Sequence, residues 1–179
     1  MIGVIIAVVI IVILLCAYIS IGNKLARAQV KIDEAESGID VALTKRYDLL
    51  TKQLDIAKGY AKHEIETLTN VINLRKGMSM SEKAVASGEM DKMQQGINVV
   101  AEAYPELKSS ENFKTLQNAV SDAEEHLQAA RRVYNSNVSS FNQMLVSFPS
   151  SVIANSKGYT KRDFFEAEES KKEDVKMEF

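Results

Sequence analysis

The chain has 179 residues and a formal net charge of −2, from 22 Lys and Arg against 24 Asp and Glu. That balance argues against a nucleic-acid binder held by a basic field, and the length allows one ordinary domain. A single cysteine, Cys16, excludes an internal disulfide framework and a cysteine-based metal site.

Residues 2–21 read IGVIIAVVIIVILLCAYISI, with no charge and only Gly3 and Ser20 outside the apolar set. About twenty such residues is what a helix needs to cross the hydrocarbon core of a bilayer. Each central Val, Ile or Leu favours insertion by a few tenths of a kcal/mol, whereas one Arg or Asp would cost roughly 3 kcal/mol. The expected anchor therefore runs through Ile2, Val9, Ile13 and Ile21. A secretory signal would carry a basic start and small residues at a cleavage step. Only Met1 precedes the run, and Ala17-Tyr18-Ile19-Ser20 offers no such step. Leu15 before Cys16 is too large for a lipoprotein site, so Cys16 reads as a small apolar residue of a membrane helix. Lys24, Arg27 and Lys31 flank the run on its far side. Positive flanks stay cytoplasmic, which predicts an outward amino terminus, a single span and a cytoplasmic body.

From Lys24 the pattern becomes amphipathic. Ile32, Ala35, Ile39, Leu43, Tyr47, Leu50, Leu54, Ala57, Ala61, Ile65, Leu68 and Ile72 step by three or four, a mean of about 3.6 and thus a helix. At 1.5 Å per residue it would be roughly 75–80 Å long. Gly22-Asn23 is the one weak point between span and helix; Gly38 and Gly59 read as close-approach positions within it. Gly77 suits a helix C-terminus, and Ser79-Met80-Ser81-Glu82 is a capping box that opens a second helix. Gly88 offers a point of division, and Pro105 ends that arm. A turn over residues 105–110 leads to a third helix, capped by Ser110, with an apolar face from Phe113 to Phe148; Pro149 stops it. Short connections and a matched period predict antiparallel packing. The expected fold class is all-α: an N-terminal transmembrane helix (residues 1–21), then a long antiparallel hairpin or bundle of three to four helices (22–149). A tail (150–179) docks at first and is then charged.

Four stretches carry a family resemblance: GIDVALTKRYDLLTKQLDIAKGYAKHEIETL (38–68), YPELKSSENFKTLQ (104–117), AARRVYNSNVSSFNQMLVSFP (129–149) and KRDFFEA (161–167). Their order and spacing resemble the LemA family, over most of residues 23–167. The resemblance implies a bacterial membrane-anchored helical protein with no enzymatic activity to carry over. The chain departs from that pattern at Thr51-Lys52, where the family often has Pro-Asn, and at Glu36, where it often has Trp. Without the proline the first helix keeps its hydrogen bonds and should be straighter.

Catalytic motifs fail residue by residue. His63-Glu64 would need a second His at position 67, where Thr67 stands. A di-iron bundle needs Glu-x-x-His pairs, but Tyr60 and Ala123 stand three before His63 and His126. No Gly-rich loop follows a strand. No enzyme activity, no cofactor and no nucleic-acid partner are therefore expected. Asp40, Arg46, Tyr47, Asp48, Arg131, Arg132, Tyr134, Asn135 and Asn142 read as structural polar residues that fix helix register, with Asp48 paired to Asn135 or Asn142. Met78, Met80, Met90 and Met93 gather around the turn expected to lie farthest from the membrane. Met packs irregular gaps and also serves adaptable binding surfaces.

The function expected is a membrane-anchored scaffold in the bacterial inner membrane, with the lipid bilayer and further copies of itself as partners. Phe164, Phe165 and Phe179 are the candidate self-association residues. The alternative is a monomeric adaptor that holds an unidentified soluble protein through the Met-rich tip.

Overall fold

The structure, a computed structural model, describes residues 1–61, 74 and 77–166. Five helices are seen among them: α1 (Ile2–Lys58), α2 (Met80–Ala103), α3 (Pro105–Ser109), α4 (Glu111–Val146) and α5 (Ser150–Ser156). The described residues contain no strand, so the all-α expectation holds. They divide into two compact units. Unit 1 comprises Met1–Glu36 and Val133–Phe164; unit 2 comprises the described residues within Ser37–Arg132 and Phe165–Phe179.

Helix α1 passes residue 21, the expected end of the span, without a break. Gly22-Asn23 is therefore not a hinge. Gly22 is instead a point of close approach: a Cβ there would lie 2.8 Å from Nζ of Lys157. The helix stops earlier than its period suggests, at Lys58. The N–H groups of Gly59 and Tyr60 turn back onto the carbonyls of Ile56 and Ala57, three residues before each. Glycine's backbone entropy outweighs the apolar pattern at this point. Ile65, Leu68 and Ile72, which were expected to continue the helix, lie outside the described residues.

Helix α2 begins with the capping box. The Ser79 hydroxyl accepts from Glu82 N–H at 3.2 Å, and the Glu82 carboxylate accepts from Ser79 N–H at 2.8 Å. Gly88 does not divide the helix; it is buried within it. The expected turn at 105–110 is a five-residue helix, α3, with Pro105 in its first turn, where the missing N–H costs no bond. Helix α5 closes with Gly158 at φ +71°. Its N–H bonds the Asn155 carbonyl, and Tyr159 N–H reaches back to Ala154. This is a Schellman closure, which requires the left-handed region that glycine enters freely. It turns residues 159–164 back along unit 1, where the Tyr159 ring meets the edge of Phe141 at 5.9 Å and 86°.

The core of unit 1 is built from Leu25 and Ile32 of α1, Tyr134, Val138 and Phe141 of α4, and Ile153 of α5. The core of unit 2 is built from Ile39, Leu43 and Leu50 of α1, Met90 and Ile97 of α2, Leu107 of α3, and Phe113, Val120 and Leu127 of α4. Each such side chain stabilises its unit by roughly 1.5–3 kcal/mol through removal from water. Within unit 2, Asp40 meets Lys83, Arg46 meets Ser87 and Asp91, and Gln53 meets Gln94. Positions rise together on both helices, so α2 runs parallel to α1. The short connection through α3 then sets α4 antiparallel to α2.

Candidate functional site

Unit 2 is organised around one buried guanidinium. Arg46 is 3 % exposed. Its Nη2 lies 2.6 Å from Asp91 Oδ1, and its Nη1 lies 2.9 Å from Glu124 Oε2. The Glu124 contact is poorly aligned for hydrogen bonding, so its attraction is charge on charge. Nη1 also donates to the Ser87 hydroxyl at 3.4 Å, and Arg131 donates to the same hydroxyl. Ser87 and Asp91 are four apart on α2, and Glu124 and Arg131 seven apart on α4, so each pair shares a helix face. Arg131 stacks over the Phe165 ring at 4.5 Å. Burial lowers the Arg131 pKa from its ordinary value; Glu124 and Asp91 pull it back up, and Arg46 adds to the lowering. Nearby, Lys83, also buried, pairs with Asp40 at 2.6 Å.

In unit 1 the segment 159–164 is strapped down by polar contacts. Asn142 grips the Arg162 main chain at both ends: its Nδ2 donates to the carbonyl at 2.9 Å, and its Oδ1 accepts from the N–H at 3.0 Å. The buried Tyr134 hydroxyl donates to the Asp163 carbonyl at 2.9 Å. Burial raises the Tyr134 pKa; the Glu36 carboxylate raises it further, and Arg162 partly offsets this. The Arg162 side chain pairs with Asp33 at 2.6 Å and lies 3.5 Å from Glu36.

Several expected roles change. The Asn142 partner is the Arg162 main chain rather than Asp48, which is exposed. Arg132 is exposed, and Tyr47 and Asn135 are half-buried. Met78, Met80, Met90 and Met93 are all buried. They pack and present no adaptable surface. Phe165 lies beneath Arg131 within its own chain, so it is not offered to a neighbour. Phe164 is exposed, and Phe179 lies outside the described residues. His63, Glu64 and Thr67 lie outside them too. Among the described residues no three His, Cys, Asp or Glu side chains converge as a metal site would need. Sequence reasoning missed Lys83, Ser87, Asp91 and Glu124. The signal was available: positions 83, 87 and 91 repeat every four residues as one polar stripe along α2.

The remaining feature of unit 1 is a groove of about 560 Å³ where the apolar run ends. Ser20, Lys24, Arg27 and Lys31 of α1 form one wall, and Asn137, Ser140 and Met144 of α4 the other. Asn137 Nδ2 donates to the Lys31 carbonyl at 3.1 Å and so ties the two walls together. Just before the groove, the most apolar window of α1 has a mean hydropathy of 3.3, and none of it is buried. Lys157 extends toward this level, with its Nζ 5.9 Å from the Tyr18 ring.

These features define a helical protein with one helix long and apolar enough to cross a membrane among its described residues. The LemA family matches residues 35–179, most of the chain, and the chain belongs to that family, which is not a known enzyme family. It is also similar to Protein LemA of Metamycoplasma hominis, at 29 % identity over 163 residues, which is 88 % of this chain and 74 % of that one.

Proposed function

We propose that this protein is a single-pass, non-catalytic scaffold of the bacterial inner membrane that self-associates there, with its helical body on the cytoplasmic side. The observation that carries this reading is the continuity of α1. The apolar run and the first core helix are one helix over Ile2–Lys58. The apolar run thus enters the body as helix, with no loop between them at residues 22–23. The cytoplasmic placement is supported by Lys24, Arg27 and Lys31 directly after the run. Self-association is supported by exposed apolar side chains outside that run, among them Val41, Val99 and Phe164. An adaptor that works through Met78, Met80, Met90 and Met93 is disfavoured by their burial.

The test is the mass of the full-length chain in lipid nanodiscs or mild detergent. A species of several copies is expected. A strict monomer at every concentration would overturn the scaffold reading.

A further inference from the structure

We propose that the groove at the foot of unit 1 is a binding site for the phosphate of an anionic phospholipid. The inference rests on the anchoring reading above and goes beyond it. It concerns one lipid held at a built site, not the bilayer as a solvent.

Three cations point along one face. Lys24, Arg27 and Lys31 stand at i, i+3 and i+7 of α1 and line the same groove, as side chains so spaced on a helix must. The opposite wall, Asn137, Ser140 and Met144, carries no charge. Among the described residues no carboxylate pairs with any of the three cations. Of the acids nearest in sequence, Asp33 lies 2.6 Å from Arg162 and Glu36 3.5 Å, while Glu34 is exposed and makes no ion pair with the three cations. Unit 1 as a whole holds six basic residues against four acidic ones. A groove of about 560 Å³ falls within the usual range of small-ligand sites.

Position identifies the ligand. Ser20 lines the groove and is the next-to-last residue of the apolar run. The polar groups that follow a hydrocarbon-spanning helix lie at headgroup depth. Tyr18 stands at the same level with Lys157 over its ring, and amphipathic aromatic rings favour that depth. Phe148 and Val152, beside the end of α4, are 85 % and 60 % exposed, an apolar display suited to acyl chains and out of place in water. Basic groups next to a span attract acidic headgroups with an energy equivalent to about fivefold in affinity per residue. Arg adds a planar fork that matches two phosphate oxygens. A free phosphate would find the same cations but no reason for the adjoining apolar surface.

The experiment uses the full chain in mild detergent, with phosphatidylglycerol or phosphatidylcholine added and the retained lipid counted by native mass spectrometry. The protein is expected to hold one phosphatidylglycerol per chain at concentrations at least about tenfold below those needed for phosphatidylcholine. The Lys24→Gln/Arg27→Gln/Lys31→Gln variant is expected to lose that preference. The charge-keeping Lys24→Arg/Arg27→Lys/Lys31→Arg variant should retain it, and so should Lys108→Gln/Lys114→Gln in unit 2. Equal retention of the two lipids, or a preference that survives neutralisation, would overturn the site. So would full displacement of phosphatidylglycerol by millimolar inorganic phosphate, which would assign the groove to a soluble anion. Alkaline carbonate extraction of membranes keeps the two readings apart. A chain that washes off loses the anchor and the lipid site together, whereas a chain that stays in but shows no lipid preference loses the site alone.

Discussion

The two units share α1 and α4 but are held by different chemistry. Unit 2 buries two cations: Arg46 and Lys83 are almost inaccessible, and each is matched to one or more carboxylates on another helix. Unit 1 keeps its charges at the surface and closes through main-chain hydrogen bonds from Asn142 and Tyr134. Net charge follows the same division. Unit 1 carries +2 and unit 2, over its full sequence, −4. Buried ion pairs add little net stability, because desolvation offsets their attraction, but removal of one member leaves the other stranded. Unit 2 therefore depends on the cluster remaining whole. Unit 1 leaves cations free to meet something outside the chain.

The largest effect should come from breaking the cluster. Arg46→Met removes the guanidinium that Asp91 and Glu124 both meet; their side chains are 31 % and 27 % exposed. Partial exposure puts the loss near the lower end of the range for a broken buried pair, about 3 kcal/mol. Denaturant unfolding, with amide exchange read on α2, should show the loss concentrated in unit 2. The triple variant Arg46→Met/Asp91→Leu/Glu124→Leu should recover part of it, because apolar residues of similar size replace buried ion pairs at little cost, while half-buried Arg131 loses the two carboxylates that support its charge. An unaltered transition in Arg46→Met would mean that the cluster does not hold unit 2 together.

In unit 1 the corresponding substitution is Asn142→Ala. It removes both bonds to Arg162 at a half-buried position, a loss of about 1–2 kcal/mol. The Arg162 amide should then exchange about fivefold to thirtyfold faster, with α2 unchanged. Faster exchange in both units would show that the strap supports more than its own unit.

Much of this was legible in the sequence. The helical period marks core positions such as Ile32, Leu50, Val120 and Phe141, because a repeating apolar stripe has one place to go. The Ser79–Glu82 cap was legible because its partners lie three residues apart. The end of α1 at Gly59 was not, since the apolar stripe runs on through it and only the balance of packing against glycine's entropy decides. The Arg46 cluster was half legible. Arg46 and Arg131 stand in family-like motifs, but Ser87, Asp91 and Glu124 come from helices whose mutual register no local pattern fixes. The burial of Phe165 was hidden for a similar reason: its partner, Arg131, lies far away in sequence.

A smaller effect separates the units by pH. Tyr134→Phe removes the bond to the Asp163 carbonyl and should cost about 1 kcal/mol at neutral pH. The Tyr134 pKa is raised, first by burial and then by Glu36, so the fold favours the neutral phenol. Its contribution is complete below the ordinary tyrosine pKa of about 10 and is lost as pH rises through the folded value. Melting curves from pH 7 to 11 should show the native chain and Tyr134→Phe converging above about pH 10. Parallel curves would remove Tyr134 as the group responsible.

The smallest effect is expected from Arg162→Gln, which tests whether surface charge in unit 1 stabilises it or serves another purpose. The side chains of Arg162, Asp33 and Glu36 are 34 %, 55 % and 30 % exposed. Pairs this open contribute about 0.2–1 kcal/mol. Added salt should erase the difference, because screening acts within about 10 Å at 0.1 M. The Asn142 grip on the main chain at residue 162 does not depend on the side chain, so the strap should stay in place. What should change is the field around the groove. Asp33 loses the cation that now engages it, two residues from Lys31. A fall in phosphatidylglycerol retention without a matching fall in stability would show that Arg162 keeps these carboxylates away from the groove. A fall in stability alone would return the pair to an ordinary structural role.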